Sequence, residues 1–322
     1  MNFAVIGTNF ISDSFCNAQK CVNGTKTLAV YSRSEARGKA FADKHGIERV
    51  YTDYSEMLSD KEIDAVYVAS PIYAHAEQSV RAMAAGKHVL CEKMMAATLD
   101  EFYEMKHASE KYGRVLLEAM RPAHDPLINA IRENLPRIGK VRRASLEFCQ
   151  YSSRYDKFKA GVVENAFDPK IKNSALSDIG IYPLYLALDL FGEPSHLNSE
   201  SVFLENGFEG EGVLTLGYPD KIVTVTYSKI FGGALPSAIE GEDGSIIINK
   251  ISAPTEIKLK LRGKEPEIIA SADSKENMCY EIAAFRDMCE GKFDHKPYLE
   301  ITEAQQKIVA ASYKTSGADK YF

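Results

Sequence analysis

Five short segments of this 322-residue chain carry residue types that could hold a dinucleotide or move a proton. The first is Gly7-Thr8-Asn9-Phe10-Ile11-Ser12, which follows an apolar run at 2–6 and opens an amphipathic stretch. A dinucleotide fingerprint asks for glycine at the Gly7 and Asn9 positions and a small residue at Ser12. Gly7 permits the tight turn, and Ser12 permits close helix–strand packing. Asn9 replaces the glycine that lets backbone approach a pyrophosphate, and Asn tolerates left-handed φ better than most residues, so the turn is expected to survive at some cost. The alternative is an ordinary strand–turn–helix with an incidental glycine. The second segment, Val30-Tyr31-Ser32-Arg33-Ser34, ends a strand with no acid until Glu35. An NAD site usually places an acid there for the ribose hydroxyl. A hydroxyl followed by a guanidinium suits a 2′-phosphate instead, because Arg gives bidentate, charge-assisted bonds to phosphate oxygens. The expected cofactor is therefore NADP, with NAD possible, and the alternative reading of Arg33 is a solvated side chain at a helix start. Third and fourth come Ser70-Pro71-Ile72-Tyr73-Ala74-His75 and Cys91-Glu92-Lys93, both at the carboxyl ends of strands, where open α/β sheets bind ligands. The fifth is Ala175-Leu176-Ser177-Asp178-Ile179-Gly180-Ile181-Tyr182-Pro183, in which Asp178 and Tyr182 are four apart and share one helix face.

These segments need a scaffold, and the order of elements supplies one. Strands are predicted at 2–6, 27–31, 65–69, 88–91 and 115–118, alternating with helices at 11–21, 34–45, 74–85 and 99–112. Gly86 and Gly113 stand where helix C-caps belong, and Thr98 with Glu101 makes a capping box. This spacing means parallel βαβ units in a doubly wound sheet. After Arg121-Pro122 the rhythm changes. Asp125-Pro126 opens a helix to about residue 135, and a long strand covers 140–151. The stretch 151–173 is polar, basic and aperiodic, so it is expected to be a long loop, a length often reserved for function. A helix at 175–191 is closed by Gly192 and Pro194. Strands then crowd at 212–218, 222–230, 237–240, 245–249 and 256–261, and helices at 276–290 and 302–316 complete an α+β second domain with an antiparallel sheet. The expected division is a dinucleotide-binding domain at 1–120 and a second domain at 121–322.

Composition excludes several other classes. Hydrophobic content of 45% and charged content of 26% are ordinary for a cytoplasmic globular protein. A net charge of −6 gives no basic face for nucleic acid. No apolar run reaches membrane-span length, and with a strand-like run straight after Met1 no signal peptide is expected. The six cysteines form no C-x-x-C pair and the seven histidines no H-x-x-x-H pair, so reduced thiols and no metal site are expected.

With those segments assembled, the chain resembles the Gfo/Idh/MocA oxidoreductases along essentially its whole length. The likeness rests on Gly7 to Ser12, on Ser70-Pro71 before a helix carrying His75, on Ala85-Gly86-Lys87-His88-Val89 before Glu92-Lys93, and on Asp178-x-Gly180-x-Tyr182. Tyrosine rather than histidine in that last motif resembles the dimeric dihydrodiol dehydrogenases and NADP-linked aldose dehydrogenases of the family. The resemblance implies a Rossmann domain followed by an α/β domain whose large, open, mainly antiparallel sheet mediates dimerisation or higher association. It implies hydride transfer between a nicotinamide cofactor and a sugar, polyol, cyclic diol or corresponding carbonyl. Carried over residue by residue, it makes Lys93 the lysine beside substrate and nicotinamide, Asp178 an orienting group and Tyr182 the acid/base. Gly7, Thr8, Asn9, Phe10, Ile11, Ser32, Arg33, Ser70, Pro71, His75, Glu92 and Lys93 become the cofactor-binding set. A tyrosine with pKa near 10 needs help at neutral pH, and a neighbouring ammonium stabilises its phenolate. Without that grouping, Lys93 reads as a surface lysine, Asp178 as a helix N-terminal acid and Tyr182 as a packed aromatic.

Several positions depart from the family pattern. Met94 stands where Pro usually follows Glu-Lys, Ile72 replaces Asn, Asn173-Ser174 replace glycines before the catalytic helix, and Asn9 replaces the second fingerprint glycine. They leave a second expectation open: a catalytically silent dinucleotide-binding sensor or scaffold of the same fold. Substrate contacts are expected from Arg121 and His124 at the domain junction and from Arg154, Tyr155 and Lys157 on the long loop, although solvated loop residues are the alternative for each.

Overall fold

Apolar strands alternating with amphipathic helices build a parallel sheet in the first 120 residues of the computed structural model, which describes residues 1–273 and 276–317. The elements are β1 (Asn2–Ile6), α1 (Phe10–Gln19), β2 (Lys26–Tyr31), α2 (Glu35–His45), β3 (Arg49–Tyr51), α3 (Tyr54–Ser59), β4 (Ala65–Val68), α4 (His75–Ala84), β5 (His88–Glu92), α5 (Leu99–Tyr112) and β6 (Leu116–Ala119). The strands run in the order β3-β2-β1-β4-β5-β6, every pair parallel. That order reverses between β1 and β4, which places the ligand crevice of a doubly wound sheet at their carboxyl ends. Both faces of the central strands are covered. Ala4, Val66 and Val68 pack with Met83, Phe102 and Met105 on one side, and Phe3, Val5 and Tyr67 pack with Phe15 and Phe41 on the other. Double coverage explains why these strands are continuously apolar rather than alternating. The Thr98–Glu101 capping box starts α5, and Gly113 in the left-handed region ends it.

The second unit begins at Arg121. Its elements are α6 (Pro126–Asn134), β7 (Val141–Cys149), α7 (Tyr155–Lys159), a π-helical turn at Leu176–Gly180 leading into α8 (Ile181–Phe191), β8 (His196–Phe203), β9 (Glu209–Gly217), β10 (Ile222–Ser228), β11 (Ser237–Gly241), β12 (Gly244–Ile248), β13 (Glu256–Leu261) and β14 (Glu267–Ser271). The sheet order is β14-β13-β12-β11-β7-β10-β9-β8, antiparallel throughout except for β10 beside β7. Leu214, Leu216, Val223, Val225, Ile239, Ile246 and Leu259 point to the buried face, while Val213, Thr215, Thr224 and Thr226 on the opposite face are only half-buried. The period of two along β9 and β10 is that of a sheet packed on one side.

Two helices end the chain, α9 (Met278–Cys289) and α10 (Lys296–Ser316). Residues 276–300 segregate with the first unit and residues 301–317 with the second, whereas the sequence reading has a contiguous second domain at 121–322. The reason is the stripe Met278, Ile282, Phe285 and Met288 at helical spacing, which joins the apolar face containing Phe3 and Phe15, with Phe285 and Phe3 ring centroids 5.8 Å apart. No described helix is long and apolar enough to cross a membrane.

Candidate active site

The first unit carries the dinucleotide fingerprint at the β1–α1 junction. Gly7 sits at φ +103°, and a Cβ placed there would lie 2.8 Å from the Ala69 carbonyl oxygen at the end of β4. Only glycine fits that approach. Asn9 behaves differently from the sequence expectation. It is extended (φ −96°, ψ −179°), so no left-handed turn is required of it. It is the N-cap of α1: its Oδ1 accepts from the Ile11 and Ser12 amides at 3.0 and 3.1 Å, and its Nδ2 donates to the Ala69 carbonyl at 2.8 Å. The Thr8, Asn9 and Phe10 N–H groups have no acceptor among the described residues, and Phe10 is 70% exposed. Bare backbone donors at a helix N-terminus beside an obligatory glycine are what a pyrophosphate requires.

At the end of β2, Ser32 is buried and its hydroxyl donates to the Ser34 carbonyl at 2.9 Å, while Ser34 caps α2. The Arg33 side chain is exposed and makes no hydrogen bond or ion pair with a described residue, and the same holds for the side chain of Arg37 one helical turn on, whose amide is capped by Ser34. Sequence reading missed Arg37, although its spacing of four from Arg33 puts both cations at the same end of α2.

The loops after β4 and β5 are joined by His75. Its imidazole is 2% exposed, with Nε2 2.8 Å from the Ser70 carbonyl and Nδ1 3.2 Å from the Met94 carbonyl. Burial lowers its pKa. This places His75 in the support of the site rather than on its surface, unlike a ligand-contacting residue. Ser70 donates to Gln78 Oε1 at 2.7 Å, and Pro71 begins the turn Ile72–Ala74. Glu92 is buried and accepts from the Tyr67 hydroxyl and from the Lys93 amide at 3.2 Å, so it too is internal. Lys93 is half-buried directly after β5, and the Lys93–Met94 peptide bond is cis.

The second unit carries Asp178 and Tyr182. The helix predicted over 175–191 is present from Leu176, but its first turn is π-helical. π turns are found frequently at functional sites. Gly180 explains the glycine of the motif: a Cβ there would lie 2.7 Å from the Tyr227 ring. Beneath the turn lies a buried polar network. Glu209 accepts from the Leu176 amide at 3.1 Å, the Tyr227 hydroxyl at 3.0 Å and Ser201 Oγ at 2.7 Å, and burial raises its pKa. Tyr182 is half-buried, its ring centroid 5.7 Å from that of Phe148. Asn173 and Ser174 replace family glycines without needing positive φ; the left-handed residue here is Lys172 at φ +59°.

Asp178 pairs with a residue that sequence reading missed. Lys229, the first residue after β10, sets its Nζ 2.8 Å from Asp178 Oδ2 and donates to the Ala166 carbonyl at 2.6 Å. No motif marks Lys229; the only signal was a lone lysine in the strand-forming run Thr224-Val225-Thr226-Tyr227-Ser228-Lys229-Ile230. The segment 151–173 is not a structureless loop. It folds around Phe158 and Phe167, which pack with Phe208. Tyr155 is part of that cluster, half-buried and stacked on Phe158 and Phe167 at 6.1 and 5.6 Å. Arg154 and Lys157 both pair with Glu164. His124 lies in the turn Arg121–His124, and burial, with the Arg132 charge, holds its pKa down at about 4, so it is neutral at physiological pH. Among the described residues no group of His, Cys, Asp or Glu is arranged to hold a metal.

Comparison with known proteins agrees with these features. Residues 1–120 match the family model described as "Oxidoreductase family, NAD-binding Rossmann fold", and residues 134–247 match the GFO/IDH/MocA C-terminal domain. The chain is 41% identical over 88% of its length, and 87% of the relative's, to scyllo-inositol 2-dehydrogenase (NADP(+)) IolU of Bacillus subtilis. It is 26% identical over 95% of its length, and 93% of the relative's, to trans-1,2-dihydrobenzene-1,2-diol dehydrogenase of Mus musculus. The crystal structure of KijD10, a 3-ketoreductase from Actinomadura kijaniata in complex with NADP and TDP-benzene, superposes with a TM-score of 0.86 at 21% identity, covering 98% of both chains. The fingerprint at Gly7, the two sheets and these matches lead to one conclusion: the chain is an NAD(P)-binding oxidoreductase of the Gfo/Idh/MocA family.

Proposed function

We propose that the protein catalyses reversible, NADP-linked oxidation of a secondary hydroxyl on a polyol, with cyclic polyols such as inositols the first class to test. The observation that carries this reading is the bare backbone at Gly7, where any side chain would collide with the Ala69 carbonyl, in a chain 41% identical to an NADP-linked inositol dehydrogenase. NADP(H) is preferred because Arg33 and Ser32 stand where a ribose acid is otherwise expected and the Arg33 side chain is exposed without a partner among the described residues. NAD is the weaker cofactor.

Bound nicotinamide supplies the hydride acceptor or donor. The chain's residues do the rest. Thr8, Asn9 and Phe10 amides and the α1 N-terminus receive the pyrophosphate, and Arg33 receives the 2′-phosphate. Tyr182 takes the hydroxyl proton as the carbinol carbon gives up its hydride, and returns it in the reverse direction. Lys93 keeps the phenolate accessible, because a nearby ammonium favours the charged form of a tyrosine. Asp178, held by Lys229, orients the substrate hydroxyls. His75 and Glu92 hold the Ser70 and Lys93 backbones rather than touch ligand.

Homodimerisation through the half-buried face of the second unit's sheet is part of this reading, supported by the short neutral residues Val213, Thr215, Thr224 and Thr226 on that face. A cytoplasmic setting is supported by six cysteines of which none is in a disulfide among the described residues. The deciding experiment is an NADPH fluorescence titration followed by oxidation assays over inositols, aldoses and cyclic diols with NADP and NAD. The reading expects binding and turnover of at least one polyol, faster with NADP. Binding without turnover across the panel establishes the silent sensor instead.

A further inference from the structure

We propose that Lys229 is a positioning residue that ties Asp178 to the 151–173 segment, so that one buried ammonium fixes both a candidate catalytic carboxylate and the wall expected to recognise substrate. The proposal rests on the reading of Asp178 given above. Lys229 is 4% exposed. A buried ammonium persists only when paired and hydrogen-bonded. Its Nζ pairs with Asp178 Oδ2 at 2.8 Å and donates to the Ala166 carbonyl at 2.6 Å, and it lies 4.9 and 5.0 Å from the ring centroids of Phe167 and Phe208. Those rings are the core of the segment, with Phe158 packed on them and Asn206 Nδ2 holding the Phe167 carbonyl at 2.8 Å. The ammonium therefore faces a carboxylate on the π turn, and also a carbonyl and two aromatic faces that organise the segment. Asp178 keeps a side-chain exposure of 35% despite this pair, so its carboxylate is held without being sealed from a substrate. A shift in the segment on substrate binding can reach Asp178 through this group.

The test compares Lys229→Met, Asp178→Asn and the double variant with wild type, by trypsin cleavage within 154–172 under native conditions and by steady-state kinetics. Lys229→Met is expected to speed that cleavage about tenfold or more while the protein stays folded, and to raise KM for the polyol about tenfold with the NADPH Kd within about twofold. In the Asp178→Asn background it should add less than about threefold to the loss of kcat/KM, since both act through one pair. Unchanged cleavage in folded Lys229→Met, or multiplicative kinetic losses, overturns the proposal. A purely structural role lowers the active fraction and leaves KM alone, which also overturns it. Should Lys229→Met not fold, Phe167→Leu removes one facing ring but not the ion pair. It is expected to speed cleavage about threefold or more, and an unchanged rate counts against the tie. If wild type turns over no polyol, the functional reading has failed, while the cleavage comparison still decides whether Lys229 holds the segment.

Discussion

Asn9 reaches across the crevice between β1 and β4 to donate its side-chain amide to the Ala69 carbonyl at 2.8 Å, while its Oδ1 covers the Ile11 and Ser12 amides of α1. Asn9 thus supplies from its side chain a link between the two strand ends that flank the cofactor site. Asn9→Ala is expected to destabilise the protein by about 1–2 kcal/mol, the cost of a lost N-cap and hydrogen bond. Asn9→Gly should cost less at the cap and, by freeing the Ile11 and Ser12 amides for phosphate, tighten NADPH. Urea denaturation and a fluorescence titration check both, and weaker NADPH binding by Asn9→Gly contradicts the account.

In the proposed reading Arg33 selects NADP over NAD. Arg33→Ala should weaken NADPH by about 1–3 kcal/mol, the scale of a hydrogen bond to a charged group, and leave NADH nearly unchanged. Equal losses for both cofactors, or a wild type that prefers NADH, remove this assignment.

Gly180 lets the π turn lie against Tyr227. Gly180→Ala puts a Cβ 2.7 Å from that ring, and overpacking of this kind typically costs about 1–3 kcal/mol. Because the same turn carries Asp178, the fall in turnover should exceed what the loss of stability alone explains. Thermal melts and kcat measured well below the transition separate the two.

His88 gives the first unit a pH dependence. Its Nδ1 accepts from the Val115 amide at 3.0 Å, a bond that only the neutral ring can make. Burial, with the Arg114 charge, holds its pKa down at about 4. An unfolded histidine titrates near 6.5. Above about 6.5 neither state binds the proton; below it the unfolded chain does and the folded one does not, so this contribution is lost as pH falls from about 6.5 to about 4. Its size is on the order of 1–2 kcal/mol, discounted for the ring's partial exposure. Urea midpoints should fall across that window, and His88→Gln should flatten the fall. An equal slope in wild type and variant counts against it.

The sequence made some parts of this molecule legible and others not, for physical reasons. The segments around Gly7, Ser70 and Glu92-Lys93 could be placed because each follows a doubly buried strand, whose apolar run is unmistakable, and sits at a turn with its own local chemistry. β3 escaped because three half-buried residues carry no periodicity. β8, reading His196-Leu197-Asn198-Ser199-Glu200-Ser201-Val202-Phe203, escaped because Ser199 is its only buried residue, so alternation leaves no hydrophobic trace. The aperiodic stretch 151–173 concealed a fold held by Phe208, far along the chain, against which Tyr155 packs. Lys229 reaches Asp178 from another strand end, a relationship that no spacing encodes. Asn9 was noticed as a departure, but a residue type does not disclose whether it sits in a turn or caps a helix.

The central claim is that Tyr182 transfers the proton that accompanies hydride transfer, and the most direct test is kcat for Tyr182→Phe, with its pH profile, on the best polyol. The substitution deletes one oxygen and leaves the ring against Phe148. NADPH affinity and melting temperature should therefore stay at wild-type values while kcat falls by about 10²–10⁴, the usual worth of a positioned acid/base. Wild-type oxidation should rise with pH through an apparent pKa below that of free tyrosine, a limb that Tyr182→Phe loses. A Tyr182→Phe enzyme with near wild-type kcat and an unchanged pH profile contradicts the account and transfers the proton to another group, Lys93 first.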